Sequence, residues 1–388
     1  MSFESCIVKL TSYCNLNCTY CYMFNLEDNS YEENHKNMPE ETASMLLQRL
    51  AEYIEQEGLT QFDITLHGGE PTLWPLKRFE SFFHNIKNNP ILYKAITLGL
   101  QSNLYKLPST QLLDLLLENN VSLSLSLDGP KKVNDIFRVT PSGKGSYESI
   151  SHNLSFILDS KYCSLVKGIL SVPQTDTTPQ DYFQWVKSLP IKNVDVLFPI
   201  HYHYGYKPWD NIGKSEQEYA CSPNLGIWYA QLFDCWWFHN DPSINIRLFN
   251  HVISLMLGSH HHVDALVNDT LNMFVVSSSG NIEYPDYYRV AKNRNAETPY
   301  NIVDHSIKRL HSDSGFQNLL NLHRFTPKEC NSCDHQTLCG GGFLAGRNGP
   351  DGMVLNRRSV LCYDEMYLFQ HIKKRVLPTL EVTPNRTA

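Results

Sequence analysis

Three cysteines in Cys14-x3-Cys18-x2-Cys21, within the run TSYCNLNCTYCYMFN, stand close enough in sequence to share one metal centre. Thiolate is the soft ligand that iron–sulfur clusters require, and three thiolates hold three irons of a four-iron, four-sulfur cube. The fourth iron is then left for a small molecule. A cluster that only carried electrons would have a fourth Cys nearby, and none follows until Cys163. Zinc would want four ligands in a closed tetrahedron, and the three-then-two spacing is unusual for it.

A second group, Cys330-x2-Cys333-x5-Cys339-Gly-Gly-Gly followed by Cys362, supplies four thiolates. Its donor set suits either zinc or a second iron–sulfur cube. These two groups take seven of the eleven cysteines; Cys6, Cys163, Cys221 and Cys235 are scattered and read as small core residues.

The elements that must position these groups alternate through the first two hundred residues. Apolar runs at 6–10, 62–66, 95–100, 121–127, 164–172 and 194–199 read as strands. Amphipathic stretches at 40–56, 76–87, 110–118, 147–158 and 179–188 read as helices between them. Six strands with five intervening helices predict an α/β fold, a partial (β/α)6 TIM-like barrel with a parallel sheet. In such folds the chemistry sits in the loops after the strands. His67-Gly68-Gly69-Glu70-Pro71, Ser102-Asn103 and Ser126-Leu127-Asp128-Gly129-Pro130 each follow one of these strands. Two glycines allow close backbone approach to a ligand, and Glu70 is an anionic acceptor. The same residue types also cap helices and form turns. Residues 201–220 read as irregular surface, 224–239 as a helix rich in Trp and Phe, and 271–284 as a hairpin turning at Ser279-Gly280. A last helix is expected at 363–375. His201 and His203 fall just after the sixth strand, where they could touch substrate. His260-His261-His262 reads as a solvated helix end.

Taken together, CNLNCTYCYMFN, HGGEP, SLDGP with a downstream Asn-Asp-x-x-Arg, VVSSSGNIEYPD and CxxCxxxxxCGGG with Cys362 resemble radical S-adenosylmethionine (SAM) enzymes. The resemblance is to those carrying a SPASM extension, and within them to the peptide maturases that install cyclophane crosslinks. It implies a radical SAM core at 1–220, a helical bridge at 221–262 and a SPASM-like iron–sulfur domain at 263–388. It implies two 4Fe-4S clusters: a SAM-binding one on Cys14, Cys18 and Cys21, and an auxiliary one on Cys330, Cys333, Cys339 and Cys362. Tyr20, Gly68, Gly69, Glu70, Ser102, Asn103, Ser126, Asp128 and Arg138 are the positions that would contact SAM. The reduced cube would cleave SAM to a 5′-deoxyadenosyl radical, with the cofactor carrying the hard step.

Two departures from the family pattern matter. Phe343 and Pro285 stand where fully equipped SPASM proteins, such as the anaerobic sulfatase maturases, carry further cluster cysteines, so only one auxiliary cluster is expected. Asp286 keeps the place of the acidic residue proposed there as proton acceptor; a turn or salt-bridge aspartate is the alternative reading. The implied reaction joins an aromatic ring carbon to the β-carbon of a residue two places on. The alternatives are oxidation of a Ser or Cys of the sulfatase-maturase kind, ether or thioether formation, and epimerisation. The expected partners are a precursor peptide and an electron donor such as flavodoxin or ferredoxin. The leader would be held by the SPASM region or by another protein, since no recognition domain precedes the cysteine motif.

A formal charge of −7 over 388 residues gives no basic surface for nucleic acid. No apolar run nears the ~20 residues that span a bilayer, and no signal-peptide order is present, so the expected location is cytoplasmic.

Overall fold

The computed structural model describes residues 2–258 and 270–381. His260, His261 and His262 lie outside the described residues. The strands are β1 (Ser5–Thr11), β2 (Phe62–Gly68), β3 (Ile96–Ser102), β4 (Ser122–Ser126), β5 (Val166–Ser171), β6 (Asn193–Val196), β7 (Asn245–Ile246), β8 (Met273–Val276), β9 (Asn281–Glu283) and β10 (Glu297–Asn301). Contacts divide the chain into two compact units. One comprises Met1–Leu127, Asn134–Leu170 and Leu271–Asn321; the other comprises Asp128–Val133, Ser171–Thr270 and Leu322–Ala388.

In the first unit the strand order is β10-β9-β8-β1-β2-β3-β4-β5. Strands β1 to β5 run parallel, in the order in which they occur along the chain. The helices between them follow from helical spacing of apolar residues. Leu46, Leu47, Leu50 and Ile54 make one buried face of Glu40–Glu57, and Gly58, at φ +66°, closes that helix. Phe79, Phe82, Phe83 and Ile86 do the same for Leu76–Asn88. Leu112, Leu113 and Leu116 do so for Thr110–Glu118, whose start is capped by Ser109.

Alternation along the strands separates two faces. Phe62, Ile64 and Leu66 of β2, and Leu123 and Leu125 of β4, are buried, as are Leu98 and Leu100 of β3. The opposite positions are small or polar and less buried: Thr65 and His67, Gly99 and Gln101, Ser122, Ser124 and Ser126. Lys9 of β1 is paired in register with His67 of β2, so both belong to this polar face.

The expected 271–284 hairpin forms as β8 and β9, with Gly280 at φ +83°. The finding beyond expectation is its partner. Strand β8 lies parallel to β1, and β10 adds antiparallel to β9, so the hairpin extends the main sheet. Parallel strands far apart in sequence carry no local pairing signal, which is why neither partner was legible.

In the second unit β6 pairs with β7 in parallel. Helix Asn224–His239 packs on Cys362–Glu381. Residues 201–220 are not wholly irregular: they include helix Glu216–Cys221, begun by a capping box of Ser215 and Glu218. Of the four scattered cysteines only Cys6 is buried. Cys163 and Cys221 are exposed and Cys235 is half-buried, so most of these are not core residues. Among the described residues no helix is long and apolar enough to cross a membrane.

Candidate active site

The cysteine loop after β1 is held from two sides. On one side the Gly69 and Glu70 N–H groups donate to the Thr11 and Tyr13 carbonyls, both at 3.0 Å. A Cβ at Gly69 would stand 2.0 Å from the Tyr13 carbonyl oxygen, and one at Gly68, where φ is +137°, 2.5 Å from that of Thr11. The glycines therefore let the second loop lie directly on the cysteine loop. On the other side the Asn17 and Thr19 N–H groups donate to the Val139 and Phe137 carbonyls, at 2.7 and 3.0 Å.

Glu70 ties the loops together from within. Its carboxylate accepts from Thr72 Oγ1 (2.6 Å), Ser102 Oγ (2.8 Å) and the N–H groups of Asn103 (2.8 Å) and Thr72 (3.1 Å). Burial pushes its pKa up, against these hydrogen bonds. Asn103 reaches back, its Nδ2 donating to Asn15 Oδ1 at 2.8 Å and lying 3.4 Å from Cys14 Sγ. The turn ends on Leu104, a non-glycine in the left-handed region at φ +49°. Arg138 Nη1 donates to Tyr20 Oη at 3.0 Å. Ser126 Oγ accepts from Gln101 at 2.7 Å. The structure thus gathers Cys14, Cys18, Cys21, Tyr20, Gly68, Gly69, Glu70, Ser102, Asn103 and Arg138 around one loop of the first unit. Asp128 belongs to the second unit, where its Oδ1 accepts the Val172 N–H at 3.0 Å.

Among the described residues no three Cys, His, Asp or Glu side chains converge on a point that a single ion could fill. Thiolates around a cube surround a cluster rather than a point, so fit is judged by the donors. Cys14, Cys18 and Cys21 are close enough to raise one another's pKa, after burial, which takes Cys14 up to about 12 and Cys21 to about 11. The Leu16 N–H and the Asn103 amide each point at Cys14 Sγ from 3.4 Å, as suits a metal-bound thiolate. Asn15 Nδ2 is buried without a partner. The donor set fits an iron–sulfur cluster.

In the second unit Cys330, Cys333, Cys339 and Cys362 also interact electrostatically. Gly340, Gly341 and Gly342 are all left-handed, at φ +59°, +103° and +86°, so the chain turns tightly after Cys339. Buried Arg347 fastens that turn, donating to the Gly340 (2.7 Å) and Gly342 (3.0 Å) carbonyls. Asp364, two residues past Cys362, accepts from Tyr219 Oη (2.9 Å) and the Gly226 N–H (2.8 Å). Phe343 is buried against Phe198, with ring centroids 6.1 Å apart. His203 accepts the Gly205 N–H at Nδ1 (3.0 Å), and the His201 ring is tilted 47° against that of Tyr202, centroids 4.4 Å apart.

Asp286 sits in a charged knot of the first unit. Lys9 Nζ lies 2.5 Å from Oδ1, Tyr22 Oη donates to Oδ2 at 2.9 Å, and Arg289 Nε is 3.2 Å away. Arg289 also binds Asp28 and Glu283. Burial alone would raise the Asp286 pKa, but Lys9 and Arg289 overcome it and hold the carboxyl at about 2. Sequence reasoning missed Lys9, Tyr22, His67 and Arg289 here. The one available sign was a lysine within the strand SCIVKLT.

Residues 8–185 match the profile of the Radical SAM superfamily. The matched residues carry the radical SAM fold. Over 388 residues the chain is 26% identical to the cysteine-type anaerobic sulfatase-maturating enzyme of Clostridium perfringens, covering 96% of each chain. It is 21% identical to the serine-type enzyme of Bacteroides thetaiotaomicron, over 92% of this chain and 86% of that one. Its fold is shared with native anSMEcpe solved with bound AdoMet and Cp18Cys peptide, at TM-score 0.80, 23% identity, and coverage of 97% and 99%. It also superposes on Streptococcus suis SuiB at TM-score 0.59, 14% identity, and coverage of 92% and 76%. The fold implies SAM and an iron–sulfur cluster.

Proposed function

We propose that this radical SAM enzyme oxidises a residue of a peptide, removing two hydrogens from it. The observation that carries this reading is likeness to sulfatase-maturating enzymes along 96% of both chains, the cysteine loop and the four-thiol segment included. When bound, the cluster with SAM supplies a carbon radical that takes a hydrogen atom from carbon.

The protein's own residues hold and enclose. Cys14, Cys18 and Cys21 ligate the cluster, with Asn103 and the Leu16 N–H supporting the Cys14 sulfur. The Gly68-Gly69-Glu70 turn and Ser102 fix the loop, and Tyr20, Ser126 and Arg138 would contact SAM. Cys330, Cys333, Cys339 and Cys362 would hold one auxiliary 4Fe-4S cluster, which would supply an electron acceptor. A reduced flavodoxin or ferredoxin supplies electrons to the first.

Two outcomes remain for the peptide. Oxidation of a Ser side chain to an aldehyde, or of a Cys side chain to a thioaldehyde that water converts to the aldehyde with release of H2S, is favoured by the sulfatase-maturase likeness. A cyclophane crosslink between an aromatic ring and the β-carbon two residues on is favoured by Phe343 and Pro285, which leave a second auxiliary cluster without ligands. Anaerobically reconstituted enzyme, SAM and reductant should be given synthetic peptides bearing Cys or Ser, or aromatic-x-x triplets. A hydrazide-reactive product identifies the aldehyde; a product two hydrogens lighter and inert to hydrazide identifies the crosslink. No mass change in any peptide overturns the reading.

A further inference from the structure

We propose that His67 is the base that takes the proton released as the peptide residue is oxidised, with the nearby Asp286 carboxylate favouring its charged form; this rests on the function proposed above. Both outcomes proposed there share one balance. A carbon-bound hydrogen atom goes to the SAM-derived carbon radical. The residue radical then loses one electron and one proton. The electron would go to an oxidised iron–sulfur cluster, an acceptor that the Cys330, Cys333, Cys339 and Cys362 thiols would suit. The bond broken is an O–H, S–H or aromatic C–H, and the bond made is C=O, C=S or C–C. Some group must accept the proton.

Asp286 is poorly suited to that task. Lys9 at 2.5 Å and Arg289 at 3.2 Å claim one carboxylate oxygen, and the Tyr22 hydroxyl claims the other at 2.9 Å. Protonating it would break these contacts inside the protein, where an unpaired cation is costly.

His67 has what Asp286 lacks. It ends β2 beside the glycine turn that carries the cysteine loop, on the polar strand face and in register with Lys9. Its Nδ1 is enclosed and has no hydrogen-bond partner. Asp286, in the turn after β9, and Lys9 of β1 are close enough to act on its charge, and both belong to a network with Glu283, Arg289, Asp28 and Tyr22. Three carboxylates there face two cations, one negative charge in excess. An imidazolium at His67 would complete the balance, which makes this ring the place where an added proton is best tolerated. Burial, and Lys9 after Asp286 opposes it, keeps the resting ring neutral and ready to accept.

The test uses reconstituted holoenzyme with SAM, reductant and the Cys, Ser and aromatic-triplet peptides, their β-carbons deuterated. In His67→Gln, deuterium should still reach 5′-deoxyadenosine, while the ratio of oxidised peptide to 5′-deoxyadenosine falls roughly 100-fold or more. Asp286→Asn should lower that ratio less. An undiminished ratio in His67→Gln, or a larger loss in Asp286→Asn, overturns the proposal. Should wild-type enzyme oxidise none of the peptides, the function proposed above fails, and a second measurement still judges His67. Deuterium exchange at its C2 position, followed across pH by mass spectrometry, should titrate at lower pH in Asp286→Asn and higher pH in Lys9→Met. An unmoved midpoint in both overturns the charge coupling on which the proposal stands.

Discussion

Lys9 and Asp286 are 277 positions apart in sequence, and in the fold the lysine Nζ lies 2.5 Å from the carboxylate. The pair links β1, which precedes the cysteine loop, to the turn after β9. It also makes the Asp286 end of the hairpin part of the first unit.

Removing one partner of this pair should be costly. Asp286→Ala leaves the Lys9 ammonium buried with Glu283 at 3.9 Å as its remaining close carboxylate. The expected loss is about 3 kcal/mol or more in denaturant unfolding, the range for breaking a buried ion pair. Lys9→Met with Asp286→Leu should recover much of it.

The pH dependence has a definite sign. The folded Asp286 carboxyl, held at about 2 by Lys9 and Arg289 against the effect of burial, lies below its ordinary value of 3.8. Its contribution to stability is therefore full above about pH 4 and is lost as pH falls toward 2. Unfolding of wild type and Asp286→Asn between pH 6 and 2 should show the two curves converging at the acid end.

Gly69→Ala should disable the cysteine loop selectively. Its Cβ would meet backbone at 2.0 Å, with no flexible side chain to move aside. Anaerobic reconstitution should return only the iron bound by the C-terminal four thiols, about half of the wild-type content, and SAM cleavage should be lost. Iron analysis and 5′-deoxyadenosine assay check both.

The metal of the second group can be read directly. Protein with Cys14, Cys18 and Cys21 all changed to Ala should still carry four iron atoms per chain on Cys330, Cys333, Cys339 and Cys362, in the cubane stoichiometry. One zinc in place of four irons would show a closed structural site instead.

Gly226→Ala should loosen the seat of Cys362. The added Cβ would stand 2.6 Å from the Asp364 carbonyl oxygen and 2.7 Å from its Cα, where two helices begin side by side. Loss of the auxiliary cluster's iron with the N-terminal cluster retained is the expected result.

The sequence by itself determined the elements and the chemistry. Cys14-x3-Cys18-x2-Cys21 is a local pattern whose soft donors point to a metal centre, and apolar periodicity placed β1 to β6 and the helices between them. Local chemistry also marked the Ser279-Gly280 turn, because φ near +83° needs glycine. What only the tertiary structure decided was partnership across long stretches of chain. Gly68 and Gly69 proved to admit another backbone, and Glu70 to bind Thr72, Ser102 and Asn103. The pairing of β8 with β1 carried Asp286 to Lys9 and His67. Such contacts leave no periodic trace, since ion pairs and parallel strand pairs depend on which distant residues the sheet order brings side by side.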